Sequence, residues 1–108
     1  MIQHLDPADL AQRLHGPQPP RLLDIRQPEE HHLVALPGSR LIPLGELPER
    51  LDELDDWRDA EIVVYCHHGV RSLQGTSLLQ RAGFQHVFNL RGGIDRWSLD
   101  IDPAVPRY

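Results

Sequence analysis

Three features of this 108-residue sequence predict an α/β fold. Short apolar runs of strand length alternate with stretches of helical spacing. One of the runs, Glu61-Ile62-Val63-Val64-Tyr65-Cys66, is nearly continuous and rich in β-branched residues, the pattern of a central strand covered on both faces. Glycine and proline fall between the runs, where the chain must turn.

Taken in order, a short first strand is expected at Ile2–His4 and a helix after it. Asp6 can cap that helix, Pro7 suits its first position, and Leu10 and Leu14 share a face. Gly16-Pro17-Gln18-Pro19-Pro20 ends it, and Arg21–Ile25 is the next strand. Pro28-Glu29-Glu30 starts a short helix, and Leu36-Pro37-Gly38-Ser39 turns the chain into a strand at Arg40–Ile42. A helix is expected around Leu47–Leu54, then the central strand Glu61–Cys66. Arg71 to Ala82 forms a further helix, with Leu73, Ser77, Leu78 and Ala82 available for packing and Gly83 at its C-terminal cap. Gly75 within it costs about 1 kcal/mol against alanine, so close approach to the sheet or the loop is expected there. Val87–Leu90 supplies a last strand.

The length suits one domain spanning residues 1–108, with enough chain to bury a core unaided by disulfides or a structural metal. Eleven basic against sixteen acidic side chains give a net charge of −5, which argues against a broad surface for nucleic acid or membrane. The N-terminus has no basic segment followed by an apolar one, and no run approaches the ~18 apolar residues of a membrane span. The expectation is a soluble, cytoplasmic protein.

Cys66 is the only cysteine. It cannot close an internal disulfide or build a cysteine-based zinc cluster, so it is a packing residue, an intermolecular partner or a reactive thiol. Its position decides between these. A strand end, a glycine-containing loop and a helix start gather backbone N–H groups and the positive end of a helix dipole around one point. Here the loop is Cys66-His67-His68-Gly69-Val70-Arg71-Ser72, whose N–H groups can curl around the sulfur while Arg71 adds positive charge. Cysteines in such surroundings ionise well below the ~8.5 of a free thiol, and the thiolate is the nucleophile.

That loop resembles the C-x-x-G-x-R-S loop of rhodanese-like domains. Leu23-Asp24-Ile25-Arg26-Gln27-Pro28-Glu29-Glu30 resembles the family's D-V-R-x-x-x-E segment, and Leu36-Pro37-Gly38-Ser39-Arg40-Leu41-Ile42-Pro43 its I-P-G-A-x-x-I-P segment. Ala82-Gly83-Phe84 and Leu90-Arg91-Gly92-Gly93-Ile94-Asp95-Arg96-Trp97 are similar to its closing G-F and L-x-G-G-x-x-x-W elements. Several weak motifs in the right order are more specific than any one of them.

The resemblance implies a three-layer α/β/α domain with a central, mainly parallel five-stranded sheet. It also implies a sulfurtransferase that needs no cofactor, in which Cys66 takes sulfane sulfur from thiosulfate or a persulfide donor and passes it on in a ping-pong cycle. Partners implied are a small anionic donor such as thiosulfate, a sulfur-carrier protein or a cysteine desulfurase. Related phosphatases of this fold have a longer C-x5-R loop, whereas this chain has C-x4-R, which favours sulfur over phosphoryl transfer and over arsenate-reductase chemistry. A non-catalytic interaction module on the same fold is the other reading, and the presence of Cys66 and Arg71 counts against it.

Substrate contacts are expected from His67, His68, Gly69, Val70, Arg71 and Ser72. Arg71 either binds the anionic end of a donor or pairs at the start of its helix. Ser72 either donates toward the loop or caps the helix. His67 and His68 either protonate a leaving group or tune polarity. Asp24 and Arg26 either brace the loop from behind or form an ordinary structural ion pair. His31-His32 and His67-His68 are adjacent pairs, which chelate poorly, so no metal site is expected. Trp97 reads as a core anchor, Arg91-Gly92-Gly93 as a turn, and the tail Asp100–Tyr108 as a proline-stiffened terminus packed on the domain or as the ending of rhodanese modules fused to carrier-activating enzymes.

Overall fold

The computed structural model describes residues 2–108. Strands β1 (Gln3–Leu5), β2 (Arg21–Asp24), β3 (Arg40–Leu41), β4 (Glu61–Tyr65) and β5 (His86–Leu90) alternate with helices α1 (Pro7–Leu14), α2 (Pro28–Leu33), α3 (Arg71–Arg81) and α4 (Gly93–Asp100). The sheet order is β1-β5-β4-β2-β3, and every pairing is parallel. β4 sits in the middle, with Val63 opposite Leu22 of β2 and Phe88 of β5.

A parallel strand covered on both faces should be apolar along its length, and β4 is so after Glu61 at its start: Ile62, Val63, Val64 and Tyr65 are all fully buried. Alternate residues feed two cores. Ile62, Val64 and Cys66 join Leu23, Ile25 and Leu79 on one face. Val63 and Tyr65 join Leu5, Leu10, Ile94 and Trp97 on the other. Each large apolar side chain removed from water contributes about 1.5–3 kcal/mol, so this double coverage fixes the register of β4 and the place where it ends. The expected three-layer α/β/α arrangement with a five-stranded parallel sheet is what the chain adopts.

α1 begins as expected, with Pro7 in its first turn, Leu10 buried, and the Asp9 carboxylate accepting the Asp6 N–H at 3.3 Å. Three expectations need correction. The helix around Leu47–Leu54 is instead two 3₁₀ segments, Leu44–Glu49 and Leu51–Trp57. Pro48 inside the first has no N–H to give and obstructs an α-helical turn, so the segment takes the tighter winding. Leu78 and Ala82 pack against the first core as expected, but the fully buried face of α3 is Ser72, Gly75, Thr76 and Leu79, with Leu73 and Ser77 only partly buried. The cause is Gly75: a Cβ there would lie 3.3 Å from Val64 Cγ1, so the backbone of α3 approaches the sheet at that point, as its glycine suggested. α4 lies outside the helices expected from periodicity, and its apolar face carries Ile94 and Trp97 into the second core, where Trp97 serves as an anchor. Among the described residues, no helix is long and apolar enough to cross a membrane.

Candidate active site

Cys66 follows the last residue of β4 and is 1% exposed. Its sulfur accepts the Gly69 N–H at 3.1 Å and the Ser72 N–H at 3.3 Å. The second donor belongs to the first turn of α3, an 11-residue helix, so the sulfur meets free N–H groups and the positive end of the dipole together. The Cys66 thiol lies 3.4 Å from Ser72 Oγ, which is the acceptor because its own proton goes to Asn89 Oδ1. Asn89 reaches the His4 ring in turn, 3.2 Å away. Ser72 thus contacts the sulfur through both its backbone and its hydroxyl, and is wholly buried.

Two glycines permit the loop's shape. Gly69 has φ +88°, and a Cβ there would come within 2.9 Å of Gly92 N. Gly93 has φ +63°, and its Cβ would lie 2.5 Å from the carbonyl oxygens of both Cys66 and His67. Those two carbonyls accept the N–H groups of Ile94 and Asp95 at 2.9 and 3.0 Å. The first turn of α4 is therefore bonded to the loop, and only glycine fits between them.

Arg71 opens α3, and its guanidinium makes two parallel bonds to the Glu30 carboxylate, at 2.7 and 2.9 Å. These bonds hold Glu30 down at about 2, below the ordinary carboxylate range. Glu30 also accepts the Gln27 N–H at 3.0 Å, closing the start of α2, and the Tyr108 hydroxyl at 2.7 Å. The Arg71 side chain remains 38% exposed. It is thus placed at the loop as expected, but as one half of an ion pair.

Asp24 and Arg26 form a buried pair, each side chain fully shielded. Asp24 takes Arg26 Nε at 2.8 Å and Nη2 at 2.7 Å, the Arg26 N–H at 3.0 Å, and the His31 ring at 2.8 Å. Arg26 donates further to the Val34 carbonyl at 2.6 Å and to the Tyr108 hydroxyl at 2.7 Å. Burial pulls the guanidinium down, but the bonds to Asp24 and Tyr108 outweigh it and leave it firmly charged. A continuous chain of contacts therefore runs from Asp24 through Arg26, Tyr108 and Glu30 to Arg71.

Tyr108 also stacks its ring on His67 at 3.8 Å, with 6° between planes, and His67 stacks on His68 at 3.9 Å. Burial, followed by the neighbouring His68, lowers the His67 imidazole below its ordinary value, so it is neutral at neutral pH. His67 Nε2 is buried without a hydrogen-bond partner. His68 is more exposed, with Nδ1 3.7 Å from Asp95. Val70 projects outward, 70% exposed. Among the described residues, no three His, Cys, Asp or Glu side chains converge as metal ligands would.

The residues expected at the site, from Cys66 to Ser72, are brought together with Asp24 and Arg26 behind them. Sequence reading assigned no role to Glu30, Asn89 or Tyr108. Glu30 was visible as the acidic residue closing the D-V-R-x-x-x-E segment, and a carboxylate facing an arginine across the site is what that spacing could have suggested. Nothing local marks Asn89 or Tyr108, whose roles depend on β5 and the tail lying against the loop.

The family model of the rhodanese-like domain matches residues 6–100. The chain is 36% identical over 105 residues to a protein named sulfurtransferase from Allochromatium vinosum, covering 97% of this chain and 96% of that one. It is 34% identical over 97 residues to the adenylyltransferase and sulfurtransferase uba4 of Ogataea parapolymorpha, covering 90% of this chain but only 25% of that much longer protein. Among solved structures it is similar to a rhodanese-related protein from Thermoplasma volcanium, with a TM-score of 0.83, 29% identity, and coverage of 98% of this chain and 99% of that one.

Proposed function

The chain belongs to the rhodanese-like domain family, and from that premise we propose that Cys66 carries a sulfur atom as a persulfide between a donor and a thiophilic acceptor. The Allochromatium and Ogataea relatives both carry sulfurtransferase in their names. The observation that carries the proposal is the pair of N–H groups, from Gly69 and Ser72, directed at Cys66 Sγ at the head of α3. Such donors favour negative charge on sulfur, and can hold a thiolate before transfer and a persulfide anion after it.

With thiosulfate as donor, the Cys66 thiolate attacks the sulfane sulfur, the S–S bond of thiosulfate breaks, and sulfite leaves with the bonding pair. With a persulfide R–S–S–H, the same attack releases the thiolate R–S⁻ and leaves the proton on the Cys66 persulfide. An acceptor such as cyanide then takes the outer sulfur as thiocyanate and restores the thiolate, a two-step cycle through one covalent intermediate. His67, His68, Gly69, Val70, Arg71 and Ser72 line the place of transfer in this reading, and Asp24 and Arg26 brace it from behind through Tyr108 and Glu30. A sulfur-carrier protein fits the same cycle as acceptor, and a cysteine desulfurase fits as donor. A reducing cytoplasm, where thiols stay unpaired, suits a solitary nucleophilic cysteine.

Incubation with thiosulfate or a persulfide, followed by intact-mass measurement, is expected to show a gain of one sulfur atom that is lost on adding cyanide. Cys66→Ser is expected to show neither. Failure to load from any donor under conditions that load an active rhodanese rejects the proposal.

A further inference from the structure

The guanidinium that should greet an anionic donor is already occupied. Glu30 holds Arg71 by two bonds, and is itself held by the Gln27 N–H and the Tyr108 hydroxyl, so it cannot swing aside without losing several charge-assisted contacts. The other charges near the loop are balanced as well. Arg26 is spent on Asp24, the Val34 carbonyl and Tyr108, and Arg107 bonds the Asp95 carboxylate at 2.9 Å beside His68. Among these described groups no cation is left without a carboxylate, and the neutral His67 adds none. The backbone N–H groups of Gly69 and Ser72, directed at Cys66 Sγ, remain as electropositive groups at the sulfur. Val70, within the loop itself, stands 70% exposed and offers apolar surface to an organic substituent.

Resting on the reading of Cys66 as the sulfur carrier, we propose that Glu30 is a specificity-determining residue: by neutralising Arg71 it disfavours small dianionic donors such as thiosulfate and leaves persulfides of low net charge, R–S–S–H, as the preferred sulfur source. Tyr108 acts as a positioning residue, since its hydroxyl fixes the Glu30 carboxylate on Arg71.

Sulfur transfer to cyanide is measured with thiosulfate and, separately, with cysteine persulfide, for the unaltered protein and for Glu30→Gln, which keeps the side chain's shape and removes its charge. The ratio of kcat/KM for thiosulfate to that for cysteine persulfide is expected to rise about tenfold in Glu30→Gln, mainly through a lower KM for thiosulfate, and the rise should shrink with added salt. Tyr108→Phe, which leaves the ion pair in place but loosened, should move the ratio the same way by less. It serves as the deciding variant if Glu30→Gln does not fold. A ratio unmoved in the folded variants, or moved equally in 1 M salt, overturns the role of Glu30 while leaving Cys66 as carrier. If Cys66 takes sulfur from neither donor, the carrier reading and this inference fall together.

Discussion

Replacing Asp24 by alanine should be the most destabilising single change near the site, and the cost can be worked from its partners. Asp24 accepts three bonds from Arg26, all shielded from water, and one from the partly exposed His31. Without it, Arg26 keeps its charge and retains only the Val34 carbonyl and the Tyr108 hydroxyl, neither of which is ionised in the way a carboxylate is. Stranding one member of a buried ion pair costs about 3–5 kcal/mol. For a domain of this length each kcal/mol moves Tm by roughly 4–8 °C, so a fall of about 12–40 °C is expected. Urea unfolding followed by tryptophan fluorescence gives the free energy directly. A control sharpens the reasoning: the double variant Asp24→Leu with Arg26→Met removes both charges, and should recover most of the loss because no charge is left stranded. A loss below about 1 kcal/mol in Asp24→Ala, or a double variant no more stable than the single one, would refute the account of this pair.

Gly93→Ala should cost about 2–4 kcal/mol in urea unfolding and slow sulfur loading of Cys66, because its φ is +63° and the added carbon would lie 2.5 Å from two loop carbonyls. The Glu30–Arg71 pair should give acid-sensitive stability. Glu30 is lowered from 4.5 to about 2 in the folded chain, so its contribution is complete above about pH 5 and is lost as pH falls through about 2. That shift corresponds to at most about 3 kcal/mol, discounted to about 1–2 because the Arg71 side chain is 38% exposed. The stability difference between the unaltered protein and Glu30→Gln should therefore be flat from pH 5 to 8 and shrink toward pH 2; a difference that grows on acidification would contradict the pairing.

The central strand was legible because burial on both faces demands a continuous apolar run, and β4 has one. Cys66 was legible from its place at the end of that run. Part of the packing face of α3 was not legible for a physical reason: Ser72, Gly75 and Thr76 are small or polar, so their helical spacing does not register as hydrophobic, yet small size is what lets the helix lie close to Val64 and Ile25. Pro48 gave a local warning against a regular helix over Leu47–Leu54, and the 3₁₀ winding follows from it. The ties of Arg71 to Glu30 and of Arg26 to Tyr108 span 41 and 82 residues. No window of sequence contains both ends of either, so the charge balance of the site emerges only once the chain has closed.

The bonding between the Cys66 loop and the start of α4 has a consequence for anyone wishing to transplant this chemistry. The loop's inward face is set by N–H groups on sulfur and its outer face by the N–H groups of Ile94 and Asp95, with Gly69 and Gly93 in near contact across the seam. A graft of Cys66–Ser72 into another strand–helix junction would carry the letters but not the mould. The transferable unit is discontinuous, and includes Leu90–Asp95 as the second half of the cast.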